Sequence, residues 1–119
     1  MDIKQITDPE DFIKHYDWIK ECNFVDIAPE IVLANCLTGK YWGFIVEDIG
    51  MVIGYTKGTM AYIVGVWAKN NLSKFLGSFL KLLKDSGYKT MRACSDHPEK
   101  AYERLMGMKK LWTVYERTL

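Results

Sequence analysis

The sequence predicts an α+β domain in which a mixed central sheet is flanked by helices, in the order β-α-α-β-β-β-α-β-α-β. Three observations predict it. Between Tyr41 and Ala68 the chain turns β-branched and aromatic, with glycine-containing turns at regular places. Before that stretch, two helix starts carry apolar residues at helical spacing. After it, a strongly amphipathic helical pattern leads into the strand-like run TMRACS. The 119 residues, 49% apolar and 13% aromatic, suit one domain with a real core. No repeat or Pro/Gly/Ser linker divides them, so residues 1–119 read as a single domain.

Residues Asp2 to Ile6 alternate weakly and form a short first strand. Thr7 and Asp8 are N-cap residues, Pro9 suits the first helical position, and Glu10 with Asp11 places negative charge where the helix dipole favours it. The stripe Phe12, Ile13, Tyr16 and Ile19 then runs to Glu21 as one helix. A second start at Ala28-Pro29-Glu30 leads Ile31, Val32, Cys36 and Leu37 inward until Thr38-Gly39 stops it. The runs YWGFIVED, MVIGYT and TMAYIVGVWA, separated by turns at Asp48-Ile49-Gly50 and Lys57-Gly58, predict an antiparallel meander. Its third strand is apolar on both faces and is therefore central.

Asn70 or Asn71 caps the next helix, whose Leu72, Phe75, Leu76, Phe79, Leu80 and Leu83 form one broad apolar face ended by Ser86-Gly87. The strand-helix-strand order sets TMRACS parallel to the meander's last strand. Pro98 opens a short helix with Ala101, Tyr102, Leu105 and Met106 inward, closed by Gly107. The closing segment LWTVYERTL alternates as one more strand.

Charge excludes more than it suggests. The 16 basic residues against 15 acidic ones, a net of +1, give no warrant for nucleic-acid or membrane-surface binding. No apolar run reaches the roughly 18 residues of a membrane helix, and the start MDIKQITDPEDF has no secretory h-region. Cys22, Cys36 and Cys94 are odd in number, with no CxxC pair and no nearby histidine cluster, so they read as reduced thiols rather than metal ligands, and a cytoplasmic protein is expected.

Two segments carry a resemblance. VGVWAKNNLSKFLGSFLKLLKDSGYK, starting at Val64, and AYERLMGMK, starting at Ala101, resemble two motifs of the GNAT superfamily of acyl-CoA N-acyltransferases, and the element order resembles that family over nearly the whole chain. The first segment is similar to the family's central strand, pyrophosphate loop and following helix. In that loop, glycines let backbone amides at a helix N-terminus approach the cofactor's pyrophosphate. Here Asn71 stands at the usual Arg/Gln position, Leu72 or Lys74 where a glycine is expected, and Gly77 falls late.

The resemblance implies acetyl-CoA as cofactor. It would be held by backbone groups of Val64, Val66 and Ala68 along its pantetheine arm, and by Asn71, Leu72, Ser73, Lys74 and Gly77 at its phosphates. It implies Tyr102 as general acid for the leaving thiolate, or alternatively a tyrosine of the helix core, since Glu103 competes for the aligned position. Glu47, at the end of the first meander strand, is a candidate base for the incoming ammonium or an ordinary charged hairpin end. No metal is implied.

The expected activity is acetyl transfer to an unidentified amine, on a small molecule or a protein. The alternative is a GNAT-like domain without catalysis, a binding or structural protein like compact phage-encoded relatives with eroded loops. Other readings stay open. Asp96-His97 is a base with its orienter, part of a metal site or a helix N-cap, His15 a solvated surface residue, and Cys94 the one thiol near a histidine. Trp67 either lines the acyl site or fills it, and Tyr41, Trp42 and Trp112 would mark a homodimer face.

Overall fold

The computed structural model describes residues 2–22, 27–69, 72–94, 109–111 and 114–119. Its elements run β1 (Lys4–Gln5), α1 (Glu10–Lys14), α2 (Tyr16–Glu21), α3 (Pro29–Leu37), β2 (Trp42–Val46), β3 (Gly50–Lys57), β4 (Met60–Ala68), α4 (Leu72–Asp85), β5 (Thr90–Cys94), β6 (Lys109–Leu111) and β7 (Val114–Thr118). Among the described residues the strands form one sheet in the order β1-β2-β3-β4-β5-β7-β6. β4 is central, as its two apolar faces require, and it alone pairs in parallel, with β5.

The helical segment before the sheet corrects one expectation. The stripe through Phe12 and Ile19 is buried, but the helix breaks at His15, whose backbone (φ −104°, ψ 21°) leaves helical geometry. The amides of Trp18 and Ile19 both turn back to the His15 carbonyl, so α2 restarts from it. Three helices therefore precede β2, where two were expected. The break also turns Ile13 outward, at 49% exposure. At the start of α1, Asp8 accepts the Glu10 amide at 3.0 Å, and α3 begins with Pro29 in its first turn, as its sequence predicts. Ile31 and Leu37 of α3 face outward, while Val32 and Cys36 are buried.

Two cores form, one on each face of the sheet. On the first face α4 presses Phe75, Leu76, Phe79 and Leu83 onto Val46, Val52, Ala61, Ile63, Met91 and Ala93. Phe75 and Phe79 are fully buried, and each ring removed from water contributes about 2–3 kcal/mol. On the second face α1, α2 and α3 supply Phe12, Ile19, Val32 and Cys36 against Ile45, Met51 and Ile53. Leu72, expected on the α4 core face, is instead exposed at the helix start.

The meander has tighter turns than its glycines suggested. Gly50 is not in the turn: it pairs with both Val46 and Ala68 in the sheet, and the left-handed residue is Asp48 at φ 63°. The C-terminal end holds two strands rather than one. β6 and β7 pair antiparallel from Lys109↔Glu116 to Leu111↔Val114, and β7 pairs with β5 along all five of its residues. Starting β6 at Lys109 lets a strand pair fit where the alternation from Leu111 predicted a single strand.

One irregularity organises the centre of the sheet. Ile53 pairs with Gly65 but Gly54 pairs with Ile63, so Val64 is an extra residue in β4, a bulge. It switches the faces: Ala61 and Ile63 before it, and Val66 and Ala68 after it, all meet the α4 core. Val64 packs on the other side, with the α1–α3 core.

Two glycines give a direct test of this packing. A Cβ on Gly54 would strike the Tyr62 carbonyl and, at 2.6 Å, the Trp42 indole, whereas a Cβ on Gly77, inside α4, meets nothing within 4 Å. Gly54→Ala is expected to lose about 1–3 kcal/mol in urea denaturation, and Gly77→Ala to gain about 0.5–1 kcal/mol. Equal effects of the two would contradict the register.

Candidate functional site

The site begins with where β4 stops pairing. β4 and β5 run in parallel register from Met60↔Thr90 to Ile63↔Ala93. Beyond Ile63, β4 continues through Val64–Ala68 beside β3, and no described strand pairs with its other edge. Such an edge carries free N–H and C=O groups and is a template for anything strand-like laid along it. The bulge at Val64 follows directly on the last β4–β5 pair, and a bulge adds local twist to its strand.

α4 starts just past the end of that edge. Its first-turn amides, from Leu72 onward, have no intrahelical acceptor, and the helix dipole adds partial positive charge there. Leu72, Ser73 and Lys74 are all exposed, so no side chain of this turn is packed into the sheet. Gly77 lies in the second turn, where its amide belongs to the helix ladder. The Lys69 amide donates to the Ile49 carbonyl at 2.7 Å, fixing the end of β4 to the β2–β3 turn.

Trp67 was expected to line or to fill this opening. Its ring lies on the second face, stacked on Trp18 of α2 with centroids 4.2 Å apart and planes 18° apart, and its indole N–H donates to the Glu21 carboxylate. It anchors α2 to the sheet and leaves the gap between β4 and β5 to others. His15 continues the cluster, with its ring 4.7 Å from Trp18. His15 is 8% exposed, which corrects its reading as a solvated residue. The Asp11 carbonyl, 2.8 Å from Nδ1, can only accept, so Nδ1 carries a proton and Nε2 faces Glu47 Oε2 at 3.6 Å. Glu47 itself is 65% exposed and opens to solvent beside this ring.

The sequence did not reveal these partnerships. Trp67 and Glu21 are 46 residues apart, and Trp18 beside the buried Ile19 carries no local mark of its partner. On the same face, away from the cluster, Tyr55 stacks on Tyr62 at 4.9 Å and on Tyr41 at 5.8 Å, and Arg92 donates to Glu116 at 2.6 Å. Trp42, expected on an exposed face, turns its indole toward Phe44 and Phe79. Cys22 and Cys36 are free thiols whose pKa burial pushes up to about 12, so neither is a nucleophile near neutrality. Asn71, Asp96, His97, Tyr102, Glu103 and Trp112 lie outside the described residues. Among the described residues no three His, Cys, Asp or Glu side chains gather as a metal site, and no helix is long and apolar enough to cross a membrane.

Comparison with solved structures settles the architecture. GCN5 of Tetrahymena superposes with a TM-score of 0.70 at 9% identity, over 99% of this chain and 96% of that one. This is the GNAT fold. A Bacillus subtilis acetyltransferase in complex with CoA shares the GNAT fold at a TM-score of 0.66 and 12% identity, over 98% and 97% of the two chains. The PaiA N-acetyltransferase of Thermoplasma acidophilum, in complex with coenzyme A, does so at 0.62 and 12%, over the whole of both chains. No protein-family model matches the sequence, and no curated protein is significantly similar to it. The GNAT likeness therefore lives in the backbone, and near-complete coverage in both directions includes the two short closing strands.

The Trp18–Trp67 stack is expected to behave as a coupled unit. A double-mutant cycle with Trp18→Ala and Trp67→Ala, read by chemical denaturation, should show a coupling of about 0.5–1.5 kcal/mol. Strict additivity would mean that the rings do not meet.

Proposed function

We propose that the protein is an acyl-CoA-dependent N-acyltransferase that uses acetyl-CoA and acts on an amine. The observation that carries this reading is the edge of β4 beyond Ile63, which lacks a described strand partner and points to the free first turn of α4. A pantetheine arm is a chain of amides that such an edge binds as an added strand, and a pyrophosphate is the anion that a helix N-terminus attracts. The residues present fit that group. Backbone groups of Val64, Val66 and Ala68 would take the arm, and the amides of Leu72, Ser73 and Lys74, with Asn71, the phosphates. Gly77, in the second turn, adds no side chain beside that end of α4, and Lys69 and Lys74 add charge.

Bound acetyl-CoA would supply an acyl group activated as a thioester. The chain's own contribution is to orient that group and to move two protons. An amine reaches the site as its ammonium and must lose a proton before it attacks. Glu47, exposed and backed by the His15 ring, can take that proton directly or through water. The resemblance assigns Tyr102 to the second proton, the one returned to the departing thiolate. The free thiols of the half-buried Cys22 and the buried Cys36 suit a reducing, cytoplasmic setting.

A second reading is a GNAT-fold domain that binds without catalysis. It is favoured by the loop, where Leu72 or Lys74 stands at a position at which the resemblance expects glycine.

Titration calorimetry with acetyl-CoA and with CoA separates the outcomes. The proposal expects both to bind with Kd below about 1 mM, and expects thiol release from acetyl-CoA when a panel of primary amines is added. Absence of binding to either overturns the proposal. Binding without thiol release across the panel supports the second reading.

A further inference from the structure

A separate cavity of about 330 Å³ opens on the α4 face at the other end of the sheet, between β1, β2, the β3–β4 turn and the C-terminal end of α4. Its apolar walls are the rings of Trp42, Phe44 and Tyr88, and its polar rim includes Thr56, Thr59 and Ser86. At about 1.5 Å per residue, the 14 residues of α4 put it roughly 20 Å from the helix start. It is thus independent of the edge of β4 and of any acyl donor bound there.

The polar groups of this cavity do not balance among themselves. The Trp42 indole N–H donates to Thr56 Oγ1 at 2.9 Å, and Thr56 Oγ1 lies 2.5 Å from the Tyr88 hydroxyl. The three groups hold three hydrogens for two internal bonds. If Thr56 donates to Tyr88, the phenol hydrogen is left over; if Tyr88 donates to Thr56, the threonine hydrogen is. Either way one hydroxyl hydrogen is left for an acceptor outside the triad, and because these bonds are exposed and Gln5 also lines the cavity, a ligand's acceptor takes the place of water or of the Gln5 carboxamide.

The surroundings choose which acceptor. No lysine, arginine, aspartate or glutamate lines the cavity. The end of α4 offers little, because the carbonyls of Leu82, Leu83 and Lys84 already accept from Ser86, Tyr88 and Gly87. Its dipole disfavours an anion there. At a liquid volume of about 30 Å³ per water, the space equals about eleven waters, enough for a six-membered ring with a short arm. Three aromatic walls favour a flat partner, through offset or edge-on ring contacts.

We propose that this cavity is a second ligand site, which takes a small, flat, uncharged ring bearing a hydrogen-bond acceptor such as a carbonyl or a ring nitrogen.

Nicotinamide is a suitable probe, with nicotinate as the charged control and toluene as the control without an acceptor. In ¹H–¹⁵N spectra of the full chain, the Trp42 indole signal, assigned with Trp42→Phe, is expected to follow nicotinamide along a saturable curve. Both controls should bind about tenfold more weakly or less. Thr59→Phe should abolish the response and leave the other indole signals in place, since Thr59 serves the turn through its backbone carbonyl, which accepts from Lys89 and Thr90. The proposal is overturned if nicotinamide leaves Trp42 unmoved, shifts all indoles alike without saturation, or is matched by nicotinate or toluene. An undiminished response in well-folded Thr59→Phe also overturns it. If that variant does not fold, the comparison of the three probes on the unaltered protein decides between the outcomes.

Discussion

The extra residue at Val64 is the constraint on which the rest of the structure depends. A strand presents alternate residues to opposite faces, so inserting one residue reverses everything after it. Without the insertion Val66 and Ala68 would leave the α4 core, and Trp67 would point toward it in their place. With it, small apolar side chains stay under α4 and the indole goes to α2. The same bulge coincides with the last pair between β4 and β5. Core packing and the end of β4–β5 pairing among the described residues thus meet at one residue.

The second face secures that arrangement. Trp67 is held by Trp18 and Glu21, and Trp18 in turn lies against His15, the residue at which the first helical segment breaks. The break lets α1 place Phe12 and α2 place Ile19 in the same core while the imidazole reaches toward Glu47. Helix geometry, aromatic stacking and the one candidate base within the described residues are therefore parts of one cluster. Its position beside the end of β4 is the ground on which Glu47 is proposed as the base.

What the sequence disclosed follows from how local each signal was. The α4 helix was legible because its apolar face repeats without interruption, and the meander because β-branched runs alternate with turns. The break at His15 was hidden, because the Phe12–Ile19 stripe continues through it at helical spacing. The bulge was hidden by composition: MAYIVGVWA is apolar throughout, so an added residue disturbs no visible alternation. The β6–β7 pair escaped because strands this short carry too few residues to show a period. The site residues split in the same way. That Val64, Val66 and Ala68 lie on the central strand was legible from strand order, whereas the Trp18–Trp67–Glu21 contact joins distant segments that only the fold brings together.

Among the described residues β4 beyond Ile63 has one edge without a strand partner, and the proposed function needs that edge to take a strand-like ligand. Amide hydrogen exchange across β4, followed by NMR without and with CoA, tests it most directly. The amides from Val64 to Ala68 that point away from β3 are expected to exchange rapidly in the free protein and to be slowed about tenfold or more at saturating CoA, while those bonded to β3 are slow in both. Uniform protection of this stretch in the free protein, or no change on adding CoA, would contradict it.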